Sequence, residues 1–124
     1  DHGLITATIS ARSYNTGRLL ETMVHNQLRR TCYADQIYYY KTSSDQEIDF
    51  LTLKQGAVRE LIQVCEQLTD PATRNREVDS LDLAMQELGL SEAMIITRNE
   101  REILSKKSGT IYVTPFWRWA SEKA

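Results

Sequence analysis

The sequence predicts an α/β domain, a mixed β-sheet flanked by helices with the core order α-β-β-β-α-β. Three observations lead there. A helix-period apolar pattern at 17–31 precedes three closely spaced strand patterns. A long helix with clear start and stop signals follows at 70–89. The uninterrupted apolar run Ala93-Met94-Ile95-Ile96-Thr97 comes next and reads as a central strand covered on both faces.

Residues 1–14 contain a short apolar piece, Leu4-Ile5-Thr6-Ala7-Thr8-Ile9, compatible with either a helix or a strand. Asn15 or Thr16 is a suitable cap for the helix at 17–31, whose expected apolar stripe is Leu19, Leu20, Met23, Val24 and Leu28. Gln36-Ile37-Tyr38-Tyr39-Tyr40-Lys41 is a strand by aromatic content, and Thr42-Ser43-Ser44-Asp45 is a hairpin turn. A second strand covers 46–54, Gln55-Gly56 turns the chain, and a third strand covers 57–66. Asp70-Pro71 opens the long helix, with Asp at the cap and Pro at the first helical position. Its buried stripe is Val78, Leu81, Met85 and Leu88, and Gly89 ends it. After the central strand, 101–104 and 110–114 form two short strands. Pro115 leads into a short final helix carrying Phe116, Trp117 and Trp119. Repeats and low-complexity tracts do not occur.

The chain of 124 residues is expected to be one domain, 1–124; with Asp1 rather than Met first, it is read as either processed or, in preference, a domain excised from a longer protein. With 41% hydrophobic and 26% charged residues it has the composition of an ordinary globular domain. A formal net charge of −2 excludes bulk electrostatic attraction to nucleic acid and leaves only a local basic patch for that purpose. No apolar run approaches the roughly 18 residues needed to span a bilayer, and no signal peptide is present, so a cytoplasmic protein without membrane partners is expected. Cys32 and Cys65 lack a C-x-x-C spacing and are expected to be free thiols.

The chemistry-bearing pattern is Gln46-Glu47-Ile48-Asp49-Phe50 followed by Ile62-Gln63-Val64-Cys65. Asp49 sits inside an apolar strand. Gln63 and Cys65, at i and i+2 of the next strand, point to one face. This is the skeleton of a metal-dependent nuclease site, an Asp on one strand and Glu-x-Lys on the next, with Gln63 in the Glu position and Cys65 in the Lys position.

The chain resembles the C-terminal domain of unknown function of prokaryotic AAA-type ATPases, a group assigned to the PD-(D/E)XK, or restriction-endonuclease-like, nuclease superfamily. Gly17-Arg18-Leu19-Leu20-Glu21, Ile37-Tyr38-Tyr39-Tyr40-Lys41, Gln46-Glu47-Ile48-Asp49-Phe50, Leu61-Ile62-Gln63-Val64-Cys65 and Phe116-Trp117-Arg118-Trp119 carry the resemblance, spanning nearly the whole chain. It implies a restriction-endonuclease-like fold and an upstream ATPase part of the same protein. G-x-x-x-x-G-K-[ST] does not occur in these residues, so ATP chemistry would belong to that upstream part.

By the same resemblance Glu21 is the helix carboxylate, Asp49 the central metal ligand, Gln63 the third ligand position and Cys65 the lysine position. Such a site holds Mg²⁺ or Mn²⁺ on clustered carboxylates, polarising a phosphodiester and helping to generate hydroxide, while the lysine stabilises developing charge. Gln63 offers a neutral carbonyl oxygen without the anionic charge that a hard cation demands, and a Cys65 thiol cannot act as a lysine. Weak Mg²⁺ or Mn²⁺ binding is therefore the expectation. Lys41, Arg74 and Arg76 are the expected phosphate contacts, with DNA the nucleic acid in view.

Each candidate also has a structural reading. Glu21 suits the first turn of its helix electrostatically. Asp49 is compatible with the solvent face of an amphipathic strand. Cys65 is compatible with a small buried hydrophobe. His25, one turn beyond Glu21, is readable as a surface histidine, and Tyr38-Tyr39-Tyr40 as strand packing rather than a base-stacking platform. Gln63, between Ile62 and Val64, must find hydrogen-bond partners if buried.

The functional expectation is a nuclease-derived but catalytically impaired recognition or assembly domain of an ATPase. One alternative is an active Mg²⁺-dependent nuclease whose lysine has migrated, with Lys41 the candidate. The other is a protein-interaction domain that docks through Phe116-Trp117-Arg118-Trp119.

Overall fold

The computed structural model describes residues 16–32 and 36–123, so the apolar piece at 1–14 and the Asn15 cap lie outside the described residues. Helix α1 spans Thr16–Thr31. Strands β1 (Ile37–Lys41), β2 (Glu47–Lys54) and β3 (Ala57–Val64) follow, then helix α2 (Pro71–Leu88) and strand β4 (Glu92–Thr97). Strands β5 (Glu102–Ser105) and β6 (Thr110–Pro115) and helix α3 (Phe116–Lys123) complete the chain. The expected α-β-β-β-α-β order is present. The six strands form one mixed sheet in the order β1-β2-β3-β4-β6-β5. β1–β2 and β2–β3 pair antiparallel, β3–β4 and β4–β6 parallel, and β5–β6 antiparallel.

Local chemistry explains the boundaries. Gln55 and Gly56 both have positive φ, 55° and 81°, the geometry of a two-residue primed turn that matches the twist of β2 and β3. At the start of α2, Asp70 accepts a 3.0 Å hydrogen bond from the Thr73 N–H, and Pro71 occupies the first turn, where its missing N–H costs nothing. Gly89 closes the helix at φ 70°, and the Leu90 N–H reaches back to the Met85 carbonyl at 2.9 Å. Thr42 organises the β1–β2 turn, its buried hydroxyl accepting from the Ser44 and Gln46 N–H groups.

Side-chain alternation splits the core into two layers. On the α2 side, Leu61, Ile95 and Ile111 pack with Val78, Leu81 and Met85. On the opposite side, Phe50, Ile62 and Ile96 pack with Val24 and Leu28 of α1 and Trp119 of α3. Ile95 and Ile96 face opposite layers, which makes β4 the doubly covered strand that its apolar run predicts. The α1 stripe is narrower than expected. Leu20, Val24 and Leu28 are buried, but Leu19 is 56% and Met23 38% exposed. With α3 packed beside it, α1 seats a single i, i+4, i+8 row on the sheet, and the neighbouring positions turn outward.

Two contacts join elements distant in sequence. Glu87, near the end of α2, accepts from the Tyr40 hydroxyl at 2.8 Å, from the Ser43 N–H at 3.0 Å and from the Ser43 hydroxyl, tying the first hairpin to the helix. Gly109 lies against the Ser91 backbone so closely that a Cβ would sit 2.1 Å from the Ser91 oxygen, at a φ of 153°.

Gly109→Ala should therefore destabilise the fold by about 2–4 kcal/mol, read as a lower urea midpoint at unchanged slope, because neither backbone can yield without breaking the Thr110 N–H to Ser91 carbonyl bond. The Ser43 and Tyr40 hydrogen bonds hold the Glu87 carboxyl below its ordinary pKa of 4.5. The tether accordingly contributes stability above that value and loses it as pH falls through the lower folded-state pKa. Glu87→Gln should melt lower than the native chain at neutral pH, and the difference should close on acidification. A gap that widens in acid would contradict the assignment.

Candidate functional site

The nuclease-like pattern lies where β2 and β3 part. Antiparallel pairing runs from Lys54 opposite Ala57 to Phe50 opposite Ile62, with a register shift between Thr52 and Leu53. Beyond it, side chains continue the ladder. Gln63, only 4% exposed, accepts a 2.9 Å hydrogen bond from the Asp49 N–H through Oε1 and donates to the Glu47 carbonyl at 3.4 Å through Nε2. A primary amide carries the same donor and acceptor as a peptide unit, so Gln63 replaces a missing backbone pair. Asp49 completes the exchange, with Oδ2 accepting from the Val64 N–H at 2.8 Å. On its other side β3 stays in register with β4, Gln63 opposite Ile95, and the Cys65 N–H reaches the Ile96 carbonyl.

The structure thus brings Asp49 and Gln63 together, at the carboxyl ends of the parallel strands β3 and β4. Open α/β sheets form ligand crevices at such ends. Glu21 is half-buried on α1, one turn before His25, and the His25 ring stacks on Phe50 at 5.9 Å between centroids. The histidine expected on the surface is therefore half-buried against an aromatic neighbour, because α1 lies across β2 at this level.

Cys65 shares the sheet face of Gln63 but is packed in the α2-side core. Its thiol donates to the Gln67 carbonyl at 3.1 Å. Burial first, then the nearby Glu77 carboxylate, pushes its pKa up to about 11, so the sulfur is a protonated core group. Among the described residues no cluster of three or more His, Cys, Asp or Glu side chains is placed to hold a metal ion.

The expected phosphate contacts are engaged with carboxylates. Lys41 pairs with Asp45 at 3.8 Å across the first turn, Arg74 with Glu102 at 2.6 Å, and Arg76 with Glu77 at 3.7 Å. Tyr38 and Tyr39 are about half exposed on β1, whereas the Tyr40 hydroxyl is held by Glu87. The expected aromatic docking surface is mostly internal. Trp119 is buried and Phe116 half-buried, because α3 is the helix that closes the second core layer; Trp117 alone of the three is exposed, at 62%. Sequence reasoning did not find Glu87, Ser43 or the half-buried Lys123–Glu60 ion pair, whose partners lie too far apart along the chain for any local pattern to join them. The spacing of Asp49, Gln63 and Cys65 on adjacent strands is the signal that leads to the site.

Gln63→Glu provides a direct test of the side-chain ladder. The new carboxylate still accepts from the Asp49 N–H, but its second oxygen faces the Glu47 carbonyl and has no proton to donate. A loss of about 1–3 kcal/mol is expected at neutral pH. Burial and the facing acceptor raise the variant's pKa, so part of the loss should return as pH falls and the carboxyl regains a proton. Thermal melts from neutral to mildly acid pH check this; an unchanged stability at neutral pH would remove the amide from its assigned role.

No curated protein and no solved structure matches the chain. A family model does, over residues 16–119, which takes in α1 through the buried Trp119 and therefore both core layers and the Asp49–Gln63 junction. The chain belongs to the family described as Domain of unknown function (DUF4143).

Proposed function

We propose that this domain is the nuclease-derived, catalytically silent recognition or assembly module of a prokaryotic AAA-type ATPase, built on a restriction-endonuclease-like framework. The order of elements supports the framework. A three-stranded antiparallel meander is followed by a helical crossover into β4, parallel to β3, and the Asp and Gln of the motif lie at the point where the meander opens.

The observation that carries the loss of catalysis is the commitment of Gln63. A hard divalent cation needs several oxygen donors, most of them anionic, on one side of a cleft. Here the Gln63 carbonyl oxygen is taken by the Asp49 N–H, and one Asp49 oxygen is taken by the Val64 N–H. The residue in the lysine position is a protonated thiol inside the α2-side core. This donor set does not fit Mg²⁺ or Mn²⁺. Lys41, the alternative cation, pairs with Asp45 at the turn and is exposed, which does not favour an active site with a displaced lysine. The groups of the old site act instead as strand connectors, and the remaining role of the domain is to present its surface to partners of the ATPase.

Calorimetry with Mn²⁺, together with incubation of the domain with single- and double-stranded DNA and RNA, tests the reading. The expected outcome is metal binding weaker than about 1 mM and no cleavage. Cleavage of any of these substrates that disappears in Asp49→Ala would overturn it.

A further inference from the structure

We propose that β5 pairs edge to edge, antiparallel, with β5 of a second copy of this chain, extending the sheet across a two-fold axis at Ile103. The inference is independent of the nuclease reading. β5 is the last strand of the sheet, and among the described residues it pairs with β6 alone. Which of its backbone groups are used follows from the turn. Lys106 and Gly109 exchange both backbone hydrogen bonds, so Leu104–Ile111 and Glu102–Val113 are the next bonded pairs and Ile103–Tyr112 and Ser105–Thr110 the unbonded ones. The Thr110 N–H, turned away from β5 onto the Ser91 carbonyl at 3.0 Å, agrees with this alternation. The N–H and C=O groups of Ile103 and Ser105 therefore point outward from the sheet.

The side chains suit a second copy. Ile103 is 68% exposed, the most exposed large hydrophobic residue of the described chain. A two-fold axis at Ile103 makes it a hydrogen-bonded pair with its own equivalent, satisfying both outward groups and burying the two side chains against each other on the same face. The register sets Arg101 opposite Ser105 and Glu102 opposite Leu104 of the other copy. Within the strand, no like charges are directly opposed in this register. The other edge, β1, is guarded in ways that β5 is not: an irregularity between Tyr38 and Tyr40 breaks its register, and Lys41 closes it. β5 carries neither a bulge nor a Pro, and no lysine lies within its four residues.

Sedimentation of the 124-residue chain over a concentration series tests the pairing. The contact is small, so a reversible dimer with a dissociation constant in the micromolar range is expected, weakened at least tenfold by Ile103→Lys. Mild oxidation of Ile103→Cys should give a cross-linked dimer, because the facing Cα atoms of such a pair are about 5.5 Å apart, within disulfide reach. Ser105→Cys should not cross-link to itself, since its equivalent lies four positions away along the pair. The native Cys32 and Cys65 are both buried. A chain that stays monomeric through the micromolar range, a dimer unaffected by Ile103→Lys, or equal cross-linking at 103 and 105 would each overturn the proposal. The cross-link also decides the matter should the lysine variant fail to fold.

Discussion

Two β-strands that diverge inside a protein must leave backbone donors and acceptors without a ladder partner, and burial does not tolerate that. An unpaired buried peptide group costs about 1–3 kcal/mol, a sizeable part of the net stability of a small domain. In this chain the constraint falls where β2 and β3 part. Asp49 and Gln63 meet it by lending side-chain groups to the main chain, carboxylate to Val64 N–H and amide to Asp49 and Glu47. Ile48, Phe50 and Ile62 are fully buried around this junction, and they feed both core layers. A nuclease would have to keep the same side-chain groups available for a cation. In this structure the Gln63 amide and one Asp49 oxygen are engaged with the main chain.

The sequence made the elements legible because their signals are local. Asp70-Pro71 and Gly89 bracket α2, the Gln55-Gly56 pair sets the β2–β3 turn, and the unbroken apolar run from Ala93 announces a strand covered on both faces. The adjacency of Asp49 and Gln63 was also readable, since two strands joined by a tight turn bring residues fourteen apart together. The direction of their hydrogen bonds was not. Nothing in the order of residues distinguishes a Gln that faces a cleft from one that replaces a peptide. Periodicity likewise over-counted the buried face of α1, because it cannot know that α3 occupies part of the same layer. Nor does the order of residues tell that, in the aromatic C-terminus, Trp119 is a core residue while Trp117 is exposed.

α3 shows how a short helix is held when it has little stability of its own. Eight residues are too few to persist in isolation, so tertiary contacts must hold them. Trp119 supplies apolar burial. Lys123 lies 5.8 Å from the centre of its ring and reaches Glu60 on β3, a half-buried pair screened less than a surface one. The helix also covers only part of its side of the sheet. Met94 and Tyr112, paired across β4 and β6, remain half-exposed beside it.

The parallel pairing of β3 with β4 has a consequence for the order in which the molecule comes together. β1, β2 and β3 are joined by tight turns and can associate while only the first half of the chain exists. β3 then waits for its second neighbour until α2 and β4 have been made, since a parallel partner is reached only through a crossover. During synthesis at roughly 5–20 residues per second, the interval is a few seconds in which a hydrophobic strand presents an open flank. The side-chain bonds at Asp49 and Gln63 belong to the half already present, so the nascent meander can be knitted to its far end before its partner arrives. Chaperone dependence of this chain would on that account be concentrated in the stretch of translation between Val64 and Thr97.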